Sequence, residues 1–204
     1  MGTGLFVGAN LSATERKIIG AYLDLYERQP SSRIKVTQVC ERAGVSRVTF
    51  YSYFEGAEQL LSFVEQQTLA DMREVFEDME YLDVSAFLGA SGADRPIPMF
   101  VRSYRYVREH ARAYRALFGP YGRNSFVIAY ERQVKDSIRC LNVLARLSPR
   151  ERDDVATMCQ GCVCQLSRAW IERGFDVDER SLALTCTRAF VAILGAWLEL
   201  PSRR

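Results

Sequence analysis

Between Ser46 and Phe54 the chain reads SRVTFYSYF, a run dense in groups that can touch nucleic acid. Arg47 can reach a guanine edge or a phosphate. Thr49 can offer its hydroxyl to a base or its methyl to thymine, and Tyr51 can donate its hydroxyl to a phosphate oxygen. Slightly upstream, Thr37 is expected to cap a short helix, placing that helix's free N–H groups and the Thr hydroxyl near a phosphate. Lys35, Ser46, Val48 and Tyr53 complete the candidate DNA-binding set.

Other chemistry finds less material. Cys159, Cys162 and Cys164 invite a metal or redox reading. On a helix the first two share a face while the third points elsewhere, and two thiolates fall short of the four ligands a structural zinc wants. Buried free thiols at a close-packed helix interface are the favoured reading, with a thiol switch as the minor alternative. There is no paired His/Asp/Glu arrangement and no phosphate loop, and the single histidine, His110, is little to run acid–base catalysis with. No catalytic residue, metal site or cofactor is expected.

Helical periodicity dominates the elements that must position these groups, and no sustained alternation marks a strand. Ser12 and Glu15 form a capping-box pattern that opens a helix with Ile18, Ile19, Tyr22, Leu25 and Tyr26 on one face, stopping before Pro30. A polar connection over 31–36 leads into two short helices, about 37–43 and 46–53. Gly44 between them relieves a left-handed turn, Ser46 caps the second helix, and Phe50 and Phe54 look inward. A long helix follows from about Ala57 to Met79. The sequence GASGADRPIP at 89–98 is the clearest loop. Further helices are expected at 98–109, 111–117, 124–147, 149–173 and from 178 onward, with Ser148 and Pro149 opening one and Gly174 closing it.

Val36 to Leu61 carries a family resemblance. Thr37, then Ala43-Gly44-Val45-Ser46, then Tyr51-Ser52-Tyr53-Phe54, then Glu58-Gln59-Leu60-Leu61 resemble the signature of the TetR family of transcriptional regulators, convincingly over about residues 13–65. The resemblance implies a helix-turn-helix DNA-binding domain at 1–56 and a helical ligand-binding and dimerisation domain at 57–204. It implies a homodimer formed through 149–173 and 178–200, with Gly161, Ala169, Ala189, Ala192 and Gly195 allowing close helix approach. It also implies repression at a pseudo-palindromic site in double-stranded DNA, relieved by a small effector. That effector, apolar or aromatic, would sit among Phe100, Tyr104, Tyr114, Phe118, Phe126 and Tyr130, whose ordinary role is otherwise core packing. One departure stands out: the family's usual Lys at the start of the long helix is here Ala57, which removes a phosphate contact and should flatten the salt dependence of binding. The alternative is a DNA-bound structural or protein-interaction factor with the same head and no effector.

Bulk properties bound this reading without deciding it. The 204 residues are 48 % hydrophobic and 25 % charged, close to ordinary globular composition. The net charge of +2 is weak evidence for nucleic acid. Residues 1–54 carry seven Arg or Lys against four Asp or Glu, a modest excess of +3. No run approaches the roughly 18 apolar residues of a membrane span. The start, MGTGLFVGANLSATERK, has no basic stretch ahead of its apolar patch, which argues against a signal peptide. An all-α, cytoplasmic protein of nine or ten helices is expected, its first ten residues a mobile arm and its six cysteines reduced.

Overall fold

The structure, a computed structural model, describes residues 11–83 and 94–198, so the expected N-terminal arm and the first half of the 89–98 loop lie outside the described residues. Nine α-helices and no strand appear among them: α1 Ala13–Tyr26, α2 Val36–Ala43, α3 Arg47–Tyr51, α4 Ala57–Val75, α5 Pro98–Glu109, α6 Ala111–Phe118, α7 Asn124–Arg139, α8 Pro149–Glu172 and α9 Glu179–Trp197. Packing divides the chain into two units, one of residues 1–71 with 109–128, the other of 72–108 with 129–204.

In the first unit, α1 starts on the capping box seen in the sequence: Glu15 N–H donates to Ser12 Oγ (3.1 Å) and Ser12 N–H to the Glu15 carboxylate (2.8 Å). Its buried face is Ile18, Ile19, Tyr22, Leu23 and Tyr26; Leu25, expected there, is only half-buried. α2 packs on α1 through Val39 and Cys40. Gly44 then takes φ 66°, ψ 38°, and Val45 N–H donates back to the Cys40 carbonyl at 3.1 Å, closing the left-handed helix end. The 3₁₀ turn Ser31–Arg33 breaks the expected polar connection. Arg123 ties this unit together, pairing with Glu58 and, at 3.5 Å, with Glu65, while Tyr26 donates to the Tyr121 carbonyl at 2.8 Å.

The second unit holds α5 up to Arg108, α7 from Ala129 onward, α8 and α9. Two helices end earlier than periodicity implied. α4 stops at Val75, where Phe76 N–H is shared between the Met72 and Arg73 carbonyls, and a 3₁₀ turn Glu77–Tyr81 follows. α7 stops at Arg139 rather than about 147, and a 3₁₀ turn Asn142–Arg146 buries Leu144. That turn's carbonyls are taken up by Arg152, which donates to Leu144 and Ala145 at 3.2 and 3.3 Å. α8 opens on Ser148 and Pro149 as expected, with Glu151 completing a capping box, and ends in a left-handed pair, Gly174 (φ 72°) and Phe175 (φ 63°). Phe175 holds this strained conformation with its ring edge-on to Trp170 at 4.7 Å. The Arg108 guanidinium lies 5.1 Å over the same indole and pairs with Glu179. Asp178 caps α9 by accepting from Ser181 N–H at 2.8 Å. The α9 core face is Leu182, Cys186, Phe190 and Leu194; Ala189, Ile193 and Trp197 are half-buried.

Candidate nucleic-acid interface

α3 has only five residues, too few to hold a helix alone, so its neighbours must supply its stability. Ser46 caps it by accepting from Thr49 N–H at 3.0 Å. Phe50 is fully buried and sits against Phe54, their centroids 6.0 Å apart, while Phe54 meets Phe63 of α4 edge-on. With one side anchored, the other faces solvent. Val48 is 82 % exposed and Tyr51 55 %, and Arg47 is exposed with no acidic partner among the described residues.

The other sequence candidates divide. Lys35, Ser46 and Tyr53 are exposed. Thr49 is half-buried, its hydroxyl hydrogen-bonded to Ser46 Oγ at 2.8 Å. Thr37 is not the cap. α2 begins one residue earlier, at Val36, with Lys35 in the capping position, and it is Gln38 that closes the end by accepting Lys35 N–H at 2.9 Å. Thr37 therefore lies in the first turn, half-buried, where its backbone N–H still belongs to the unpaired end of the helix. Ala57 is the first residue of α4, with Glu58 after it, so no lysine opens that helix.

The aromatics named as a pocket pack against the following neighbours. In the first unit Tyr114 stacks on Phe118 at 5.9 Å and Phe118 meets Phe126 at 5.4 Å. In the second, Phe100 packs edge-on against Phe190 at 5.3 Å and Tyr104 against Trp170 at 5.8 Å. Tyr130 is buried there and Tyr104's hydroxyl lies against Cys186 and Ser167; burial first, then Cys186, holds that phenol above its ordinary range, with Ser167 opposing.

The cysteines gather more tightly than the sequence could show. Cys159 and Cys186 are buried and Cys162 half-buried where α8 meets α9. Cys186 hydrogen-bonds the Cys162 sulfur and brings its thiol down to about 7, against the effect of burial. Burial pushes Cys159 and Cys164 up to about 12. Among the described residues no group of three or more His, Cys, Asp or Glu is placed to hold a metal. Sequence reasoning also missed Asp24, Arg42 and Arg112, which pair across α1, α2 and α6.

Comparison with known proteins bears on the fold and on the head. No family model matches the chain. Over 71 residues, 34 % of the chain, it is 31 % identical to the HTH-type dhaKLM operon transcriptional activator DhaS of Lactococcus lactis subsp. lactis (strain IL1403). The match spans 38 % of that relative's length. Among solved structures, the dihydroxyacetone kinase operon activator DhaS superposes with a TM-score of 0.56 at 20 % identity, over 92 % of this chain and 97 % of that one. A TetR transcriptional regulator from Streptococcus agalactiae 2603V gives 0.57 at 14 % identity over 87 % and 93 %. The fatty acid degradation regulator FadR from Bacillus halodurans gives 0.58 at 13 % over 90 % and 97 %. The chain has the all-helical fold of TetR-type regulators.

Proposed function

We propose that this protein is a DNA-binding transcriptional regulator of the TetR type, a homodimer that sets the α3 helix of each subunit in the major groove of a pseudo-palindromic operator. The observation that carries it is the two-sidedness of α3: Phe50 buried, and Arg47, Val48 and Tyr51 presented outward on a Ser46-capped helix. Half-sites would then lie one or more helical turns apart. For the dimer, the outer faces of α8 and α9 supply the support. Cβ atoms added at Gly161 and Gly195 would meet nothing within 4 Å, which leaves room for a second pair of helices to approach closely. No described helix is long and apolar enough to cross a membrane, in keeping with action on DNA in the cytoplasm. We read the protein as a regulator and not an enzyme.

Release by a small apolar or aromatic effector in the middle helices is part of this reading, acting as a population shift between two head spacings. The packing of Phe100 on Phe190 and Tyr104 on Trp170 favours the second reading, the same head with no effector. Mobility-shift assays with DNA flanking the protein's own gene, and with sequences selected from a random pool, test the proposal. Specific, salt-sensitive binding is expected; absence of binding to both overturns it. A reporter fused to the bound site then separates repression from activation.

A further inference from the structure

Away from α3, the first unit contains a groove of about 480 Å³ between α1, α2 and α6, within the range of small-molecule sites. Its rim is cationic: Arg16 and Lys17 from α1, Arg42 from α2 and Arg112 from α6. Its floor is made of small residues, Ala13, Gly20 and Ala21 on the same stripe of α1 and Ala43 on α2, so the charged heads surround open space. One carboxylate, Asp24, lies among four cations. It accepts from Arg42 Nε at 2.9 Å and Arg112 Nε at 2.7 Å, and the Nη2 atom of each arginine also pairs with it. Asp24 therefore fixes two guanidinium planes while leaving the Nη1 donors of both outside that pairing. Arg112 is further seated on the α1 backbone, since a Cβ at Gly20 would stand 2.8 Å from its Nη1. Arg16 and Lys17 are exposed and have no acidic partner among the described residues.

We propose that this groove binds a small phosphorylated molecule. Fixed guanidinium forks match phosphate oxygens in pairs, and the excess of three positive charges calls for a ligand of more than one negative charge. No α3 residue lines the groove, and Arg42 and Ala43 stand at the opposite end of α2 from Lys35 and Thr37, about 10 Å away along the helix. A ligand spanning Arg42 and Arg112 would tie the helix-turn-helix to α6, and its effect on operator binding, but not its own binding, rests on the DNA-binding reading above.

The test titrates the full chain, without DNA, with sodium pyrophosphate by calorimetry and thermal unfolding, against sodium chloride at matched ionic strength. Saturable binding with a rise in Tm is expected, weakened at least tenfold by Arg16→Ala/Lys17→Ala. Ala13→Glu places a carboxylate in the groove at a helix N-terminus that tolerates one, and should abolish binding with the ligand-free Tm kept. An equal response to chloride, or full binding in both variants, overturns the proposal. So does a pyrophosphate response that is absent while the double variant flattens the salt dependence of DNA binding, which would make the groove a contact for the DNA backbone.

Discussion

Gly44 offers the cleanest separation of backbone conformation from packing in the head. Its φ of 66° lies where an L side chain is disfavoured, yet a Cβ built there meets nothing within 4 Å. Gly44→Ala thus introduces conformational cost with no clash. Holding alanine in the left-handed region costs about 1–2 kcal/mol. Stiffening the unfolded chain returns roughly 0.4–1 kcal/mol, so the net loss should be near 1 kcal/mol. For a chain of this size that is a fall in Tm of about 2–4 °C. Gly44→Asn should lose less, because asparagine tolerates the left-handed region. The turn is held by Val45 N–H on the Cys40 carbonyl and by the buried Phe50 beyond it, so α3 should keep its orientation and operator affinity should change less than threefold in either variant. Thermal unfolding and a mobility-shift titration on the same preparations give both numbers. An alanine variant as stable as the parent would refute the conformational argument. A loss of several kcal/mol would refute the claim of open space.

Arg47→Ala should leave Tm unchanged, since Arg47 is exposed with no acidic partner among the described residues. If it reads a base, it should weaken operator binding by roughly 1–3 kcal/mol per half-site and relax specificity at one position; a loss uniform across sequences with a shallower salt slope identifies a phosphate contact instead. Gly161→Leu should favour the α8 helix intrinsically yet weaken a dimer that packs there, measured by sedimentation; an unchanged dimer removes α8 from the interface. In a Cys140→Ser background Cys162 should be alkylated first, its rate rising through pH about 7, and Cys186→Ala should move that profile to higher pH. Burial raises the Glu65 carboxyl, with Arg123 opposing, so Glu65 adds stability at low pH that is lost as pH rises through its folded value. Arg123→Ala should then cost roughly 1–3 kcal/mol near pH 7 and progressively less as pH falls through the raised folded value of Glu65, read as the difference from the parent in urea unfolding.

What the sequence revealed was local. Ser12 with Glu15, Ser148 with Pro149, and Gly44 each act within four residues along the chain, and each is where the pattern put it. Thr37 shows the limit: threonine suits a cap, but Gln38 reaching back to Lys35 won the position. The early ends of α4 and α7 were hidden for a different reason. Apolar spacing continues through Met79 and Leu144, both buried, and periodicity does not distinguish an α turn from a 3₁₀ turn that buries the same side chain. The groove and the thiol cluster were out of reach altogether. Asp24 meets Arg112 across 88 residues and Cys162 meets Cys186 across two helices, and no spacing rule joins them.

The shortness of α3 explains why its function was nevertheless readable. A five-residue helix with one fully buried side chain gains almost nothing from its own hydrogen bonds, so it persists only because Phe50 and Phe54 bind it to its surroundings. Those two positions, with Ser46 and Gly44, are fixed by folding, and large-to-small change at Phe50 should cost roughly 3–5 kcal/mol. Arg47, Val48 and Tyr51 carry no such load, and folding alone would favour polar residues at all three. On the proposed DNA-binding reading, the 82 % exposed valine between residues suited to phosphate and base edges would meet a thymine methyl, a surface that fits it. Val48→Ser should then leave stability unchanged and weaken binding only to sites with thymine at the contacted position; equal weakening at all sites would mean that Val48 does not read the base.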